Sequence, residues 1–213
     1  MKLIPLLFAV LWMLNVNSQE IAILKYKGGG DWYANPTALP NLIRFCNENI
    51  NTEIEPRPLT VELENPEIFQ YPFLQMTGHG NVFFSQDEAN NLRTYLLSGG
   101  FLHIDDKYGM EPYLKKVLLK VFPDKELLEI GADHAIFKSR YKFPNGVPNI
   151  HEHDGKRPQA LGIFHENRLL LLFTYESDLG DGWEDPEVHN DSEEVRLKAL
   201  QMGANIIDYA FKN

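Results

Sequence analysis

Between residues 20 and 122, short apolar runs alternate with stretches in which apolar residues recur at helical spacing. That order predicts a mostly parallel sheet covered by helices on both faces. "EIAILKY" (20–26) is the first run, short and rich in isoleucine, and reads as a buried strand. Leu39, Leu42, Ile43, Cys46 and Ile50 mark the inner face of a helix beginning between Pro36 and Pro40. A proline is tolerated in a first turn because its missing N–H has no helical partner there. A second strand falls within 56–63, and "YPFLQMT" (71–77) is a third. Ser85 and Glu88 then form a capping box ahead of the stripe Ala89, Leu92 and Leu96, and Gly99-Gly100 stop that helix.

"FLHIDD" (101–106) returns as a strand, and a helix from about Pro112 to Phe122 turns Leu114, Val117, Leu118 and Val121 inward. Residues 124–158 carry few periodic signals. "ALGIFH" and "RLLLLFTY" on either side of "ENR" read as an antiparallel hairpin. A last helix is expected from about Ser192, capped by Asp191 with Glu194, with the stripe Leu197, Leu200, Ala204, Ile207 and Phe211.

The chain opens "MKLIPLLFAVLWMLNVNSQE", one lysine before a mostly apolar run and then small or polar residues. Val16 and Ser18 stand at the minus-three and minus-one positions of a cleavage before Gln19, the layout of a secretory signal peptide over 1–18. The run is short for a bilayer span; the alternative is an uncleaved anchor. Residues 19–213 are then expected as a single domain, periplasmic or extracellular, with no membrane insertion of the mature chain. The formal charge is −10, and removing Lys2 makes it one unit more negative. An acidic balance argues against nucleic acid or anionic membrane as a partner, since both are held by clustered Lys and Arg. The single cysteine, Cys46, has no partner for an internal disulfide and reads as a small buried hydrophobe.

Ligands in parallel sheets sit beyond the carboxyl ends of the strands, and unusual residues gather there. Lys27-Gly28-Gly29-Gly30-Asp31-Trp32-Tyr33 follow the first strand, Thr77-Gly78-His79-Gly80-Asn81 the third, and Asp105-Asp106 end the fourth. After the hairpin comes a stretch with Asp178, Asp181, Trp183, Glu184, Asp185 and His189. The glycines Gly28 to Gly30 match neither the dinucleotide fingerprint nor the phosphate loop. They present backbone N–H groups to an anion at a helix start, or they are only a turn. His79, Asp105 and Asp106 are the candidate acid or base groups, with one aspartate of the pair expected only to cap the next helix. His103, inside the strand, reads as a core histidine. Asp31, Asp178 and Asp181 are candidates for substrate contact, and Trp32 and Trp183 for an apolar face against a ring.

"NIHEHDGK" (149–156) is the densest polar stretch. In an extended segment His151 and His153 share a face, which suits a divalent transition metal such as zinc if a third ligand comes from His79, Asp105, Asp178, Glu184 or His189. The other readings are a metal-free loop that sets His151 or Glu152 over a substrate, and a purely structural loop. No H-E-x-x-H, cysteine pair or EF-hand spacing accompanies it.

Taken together, "KGGGDWYANPTALPNL", "TGHGNVFFS", "LLSGGFLHIDD", "HEHDG", "SDLGDGWED" and "VHNDSEEVRLKALQMGANI" resemble the bacterial domain-of-unknown-function family 4159 across about residues 20–210. The resemblance implies a class I glutamine amidotransferase-like fold with a flavodoxin-like sheet, but no activity. Glutaminases of that superfamily place a nucleophilic cysteine on a strand-to-helix elbow. The comparable turns here carry Gly78-His79-Gly80 or Asp105-Asp106, so thiolate attack on glutamine is excluded. Two kinds of function are expected at the rim. One is a hydrolase-like or lyase-like enzyme acting on a small polar molecule, with a carbohydrate as one candidate. The other is a non-catalytic module of the cell envelope that binds a ligand or an envelope protein, alone or within a larger assembly.

Overall fold

A computed structural model describes residues 19–213; the leader expected over 1–18 lies outside them. β1 (Ile21–Lys25), β2 (Leu59–Glu62), β3 (Phe73–His79), β4 (Phe101–Tyr108) and β7 (Arg168–Tyr175) run parallel. β6 (Gln159–His165) pairs antiparallel with β7, and the two-residue β5 (Leu128–Glu129) closes that edge. The order β2-β1-β3-β4-β7-β6-β5 makes one seven-stranded sheet. Its parallel part has the order of flavodoxin-like folds, extended by the expected hairpin. The helices are α1 (Ala38–Asn49), α2 (Gln86–Leu97), α3 (Glu111–Val121), the short α4 (Leu179–Trp183) and α5 (Pro186–His189), and α6 (Glu193–Lys212).

Alternation along the central strands gives the sheet two buried faces. Leu74, Met76, Leu102, Ile104 and Phe173 pack under α2 and α3 with Leu92, Leu96, Leu114 and Leu118. Phe73, Phe101 and Leu172 face α1 and α6 with Leu39, Leu42, Cys46, Ile206 and Ile207. Each fully buried large side chain of this kind is worth about 1.5–3 kcal/mol. Cys46 is buried, and burial pushes its thiol up to about 12, as a core residue requires.

Local signals set the boundaries. Ser85 and Glu88 make the capping box in both directions. The last helix differs from its expected start: Ser192 is the cap, accepting from Val195 N at 3.3 Å, because Asp191 is engaged elsewhere. Leu197 is also exposed, whereas Ala204 and Ile207 are buried as expected.

Candidate active site

The carboxyl ends of β3, β4 and β7 carry the polar residues, and the loop after β1 reaches them through Asn35. Asp105 and Asp106 end β4 with opposite roles. Asp106 turns both oxygens onto the start of α3, accepting from Met110 N at 3.0 Å and Glu111 N at 3.2 Å. It is the helix cap foreseen for one member of the pair, and burial holds its carboxyl at about 6. Asp105 is fully buried, accepting from Thr174 Oγ1 at 2.5 Å and Gly180 N at 2.7 Å. Burial raises it to about 6, against the pull of those donors. Thr174 Oγ1 also lies 3.1 Å from His103 Nε2, and His103 Nδ1 meets Gln75 Oε1 at 2.8 Å. His103 is thus the satisfied core histidine; burial lowers it to about 3 and keeps it neutral.

Beyond β7 the backbone turns sharply. Glu176 and Asp178 both adopt left-handed conformations, φ 52° and 53°, each costing about 1–3 kcal/mol for residues of this type. The turn aims both carboxylates at the "HEHD" segment. Glu176 Oε2 accepts from Asp154 N at 3.2 Å and His153 N at 3.4 Å. Ile150 N donates to Ser177 O at 3.0 Å, and Ser177 Oγ donates to Pro148 O at 2.7 Å. So fixed, His153 meets buried Asp178 through Nε2 and Oδ2. Asp178 Oδ1 has no hydrogen-bond partner among the described residues. Burial, then the charges of Asp105 and Asp181, push Asp178 up to about 9.

His151 does not share the surroundings of His153. Its Nδ1 lies 3.0 Å from Asp181 Oδ2 and its Nε2 3.0 Å from Asp191 Oδ1. Burial lowers its pKa, but the two carboxylates outweigh burial and leave it above the ordinary value. His151 and His153 thus take different partners, and the metal-capable group found among the described residues holds His151 without His153. The segment bends at 153–155 instead of running extended, so alternation does not apply. His189 joins His151 instead: the rings are 5.2 Å apart, and His189 Nε2 is 3.5 Å from Asp181 Oδ1. Asp181 Oδ1 also accepts from Lys107 Nζ at 2.6 Å and Asn35 Nδ2 at 2.8 Å. Burial raises the Asp181 carboxyl, and the Lys107 ammonium more than offsets this, leaving it below the usual range.

Lys107 and His153 both line a cleft of about 280 Å³ with Asp106, Tyr108, Asp154, Lys156, Tyr175 and Glu176. Cleft and buried cluster therefore share a wall. His79 and Asp31 stand apart from it, over the ends of β1 and β3. His79 Nδ1 lies 2.9 Å from Asp31 Oδ2 and its backbone N donates to Asp31 Oδ1 at 2.5 Å. Among the described residues neither lines the cleft.

The glycine run serves close packing. A Cβ on Gly28 would stand 2.8 Å from Phe83 N, and one on Gly30 2.8 Å from Asn81 O; Gly30 N donates to Asn81 O at 3.1 Å. Gly29 has open space beside it. Trp32 is half-buried against the core and 5.6 Å from Tyr33. Trp183 is only 1% exposed, its Nε1 donating to Ala199 O at 2.8 Å. Its indole packs under α6 and, with Trp32, borders a small pocket beside Asn35 and Gly180. Sequence reading also passed over Asn35 and Glu176, took Asp191 for a helix cap where it meets His151, and missed the role of Glu184. Glu184 accepts from Thr37 N at 3.0 Å and Ala38 N at 3.1 Å and so caps α1 from the far end of the chain. Only the proximity of Glu176 to a strand end hinted at its importance.

Fold and site together define a class: a flavodoxin-like α/β protein with a His/Asp cluster at the carboxyl edge of its sheet. Within it, the chain belongs to the family described as Domain of unknown function (DUF4159), whose model matches residues 20–211. A search of curated proteins returns no match. Among the described residues, no helix is long and apolar enough to cross a membrane.

Proposed function

We propose that the chain is an exported bacterial enzyme, hydrolase-like or lyase-like, that transfers protons on a small polar molecule. A carbohydrate is the leading substrate candidate. The observation that carries this reading is the His153–Asp178 pair, with a buried carboxylate behind an imidazole that lines the cleft. His153 Nε2 is engaged by Asp178, which leaves Nδ1 for the substrate. With its carboxyl protonated, Asp178 donates to His153 Nε2 and the ring proton sits on Nδ1. Nδ1 gives that proton to the substrate while Nε2 takes the proton of Asp178, and in the reverse step Nδ1 takes a substrate proton while Nε2 returns one to Asp178. A positioned group of this kind contributes about 10²–10⁴-fold. Lys107, tied to Asp181, offers a fixed positive charge, and the rings of Tyr108 and Tyr175 offer faces to a sugar. We place the family with the class I glutamine amidotransferase-like folds that lack the nucleophilic cysteine. The leader expected from the sequence over 1–18 carries the periplasmic or extracellular part of this proposal.

The test is a panel of glycosides, esters and polyhydroxy acids incubated with wild type and His153→Gln. Turnover of a panel member, reduced at least about 10²-fold in the variant, is expected. Turnover undiminished in His153→Gln sinks the reading.

One observation favours a second reading, a binding module of the envelope without turnover. The cleft lining includes no serine, threonine or cysteine among the described residues. Ligand-induced thermal stabilisation without product would favour it.

A further inference from the structure

We infer that His151, Asp181 and His189 form a binding site for a borderline divalent cation of the zinc type, separate from the His153–Asp178 pair. One donor atom from each of the three lies within 4.8 Å of the others. His151 Nδ1 and Asp181 Oδ2 are 3.0 Å apart. Tetrahedral arms of about 2.0–2.1 Å put neighbouring donors roughly 3.3 Å apart, so small shifts accommodate an ion. Two imidazoles and one carboxylate, with water completing the shell, are a donor set that zinc accepts and that calcium and magnesium do not favour.

The surroundings are those of a metal site. A ligating histidine usually gives its other ring N–H to a carboxylate, which fixes its orientation. Here His151 Nε2 faces Asp191 Oδ1 at 3.0 Å. Asp181 Oδ1 is taken by Lys107 and Asn35, which leaves Oδ2 to turn toward an ion. Asp181 and Asp191 are largely buried, whereas His151 and His189 are about one-quarter exposed, so a cation has a way in. Among the described residues Lys107 is the one lysine paired with Asp181, and Asp105, Asp178 and Asp191 crowd the same region. A dication there offsets mutual repulsion that a single ammonium leaves in place.

The inference does not rest on the proton-transfer reading, because it is read by metal content. The chain, purified without chelator or histidine tag, is dialysed against zinc and its metal content measured. Affinity follows from competition with a chromophoric chelator, and cobalt substitution reports tetrahedral geometry by its visible absorption. About one zinc per chain is expected. His189→Ala should lower affinity at least about tenfold, and Asp191→Asn by about 10–100-fold. His189→Gln, closer in shape, should also bind weakly, which separates lost ligation from lost folding. His153→Gln should bind zinc as wild type does. Substoichiometric zinc in the wild type, undiminished affinity in both His189 variants, or an equal loss in His153→Gln would each overturn the assignment.

Discussion

The His153 imidazole faces the cleft with its side chain 32% exposed, while its partner Asp178 is completely buried. The histidine meets solvent and the cleft; the aspartate meets only the protein. This is the arrangement of an imidazole oriented from behind by a carboxylate, reached through a backbone turn in which Glu176 and Asp178 are both left-handed.

Asp178 sets a pH dependence of stability. Its carboxyl stands at about 9, raised first by burial and then by Asp105 and Asp181. The native chain keeps a proton that the unfolded chain loses near pH 4. Where the native state binds more protons, stability falls as pH rises, here from about pH 4 to about 9. Asp178→Asn removes this titration. Its Tm should fall less steeply over that window than that of the wild type and lie higher at pH 8. About 1 kcal/mol moves Tm by roughly 2–4 °C in a chain of this size. Parallel Tm profiles for the two proteins would refute the assignment.

Asp106→Ala should act on folding first. Both carboxylate oxygens serve N–H groups at the start of α3, and removing such a cap costs about 0.5–2 kcal/mol. Urea unfolding should show that loss. An unchanged midpoint would mean that the α3 terminus finds other acceptors.

Gly180→Ala tests the close approach beside Asp105. The added Cβ would lie 2.8 Å from Asn35 Nδ2 and 3.0 Å from Asp105 Oδ2. Overpacking of this kind costs about 1–3 kcal/mol, readable by denaturant unfolding. Tolerance without loss would show that α4 can shift away from β4.

His79→Ala should change little. The His79–Asp31 pair is exposed, with the histidine side chain 49% open, and such pairs contribute about 0–1 kcal/mol. The backbone bond from His79 N to Asp31 survives the substitution. A fall in turnover comparable to that of His153→Gln would move the reacting centre to the β1–β3 end.

Periodicity and caps made the strand and helix order legible, down to the Ser85–Glu88 box and the division of labour between Asp105 and Asp106. The gathering of polar residues beyond the strands followed from the parallel sheet. Individual partners did not. His151 and His153 part company because residues 153–155 bend, and a bend leaves no period. The packing of Trp183 under α6 was not legible because α4 and α5, five and four residues long, are too short to carry a helical stripe. His189 and Asp191 became neighbours of His151 only once those two turns folded back. Glu184 caps a helix about 146 residues away in sequence, a pairing that only tertiary structure creates.

The most direct test of the Asp178–His153 pair is the steady-state kinetics of Asp178→Asn, measured on the best substrate from the panel. The asparagine keeps the shape but cannot hold or return the proton. A kcat reduced by about 10²–10⁴-fold with KM little changed is the expected result. An unchanged kcat, or a loss confined to KM, would contradict proton transfer through this pair.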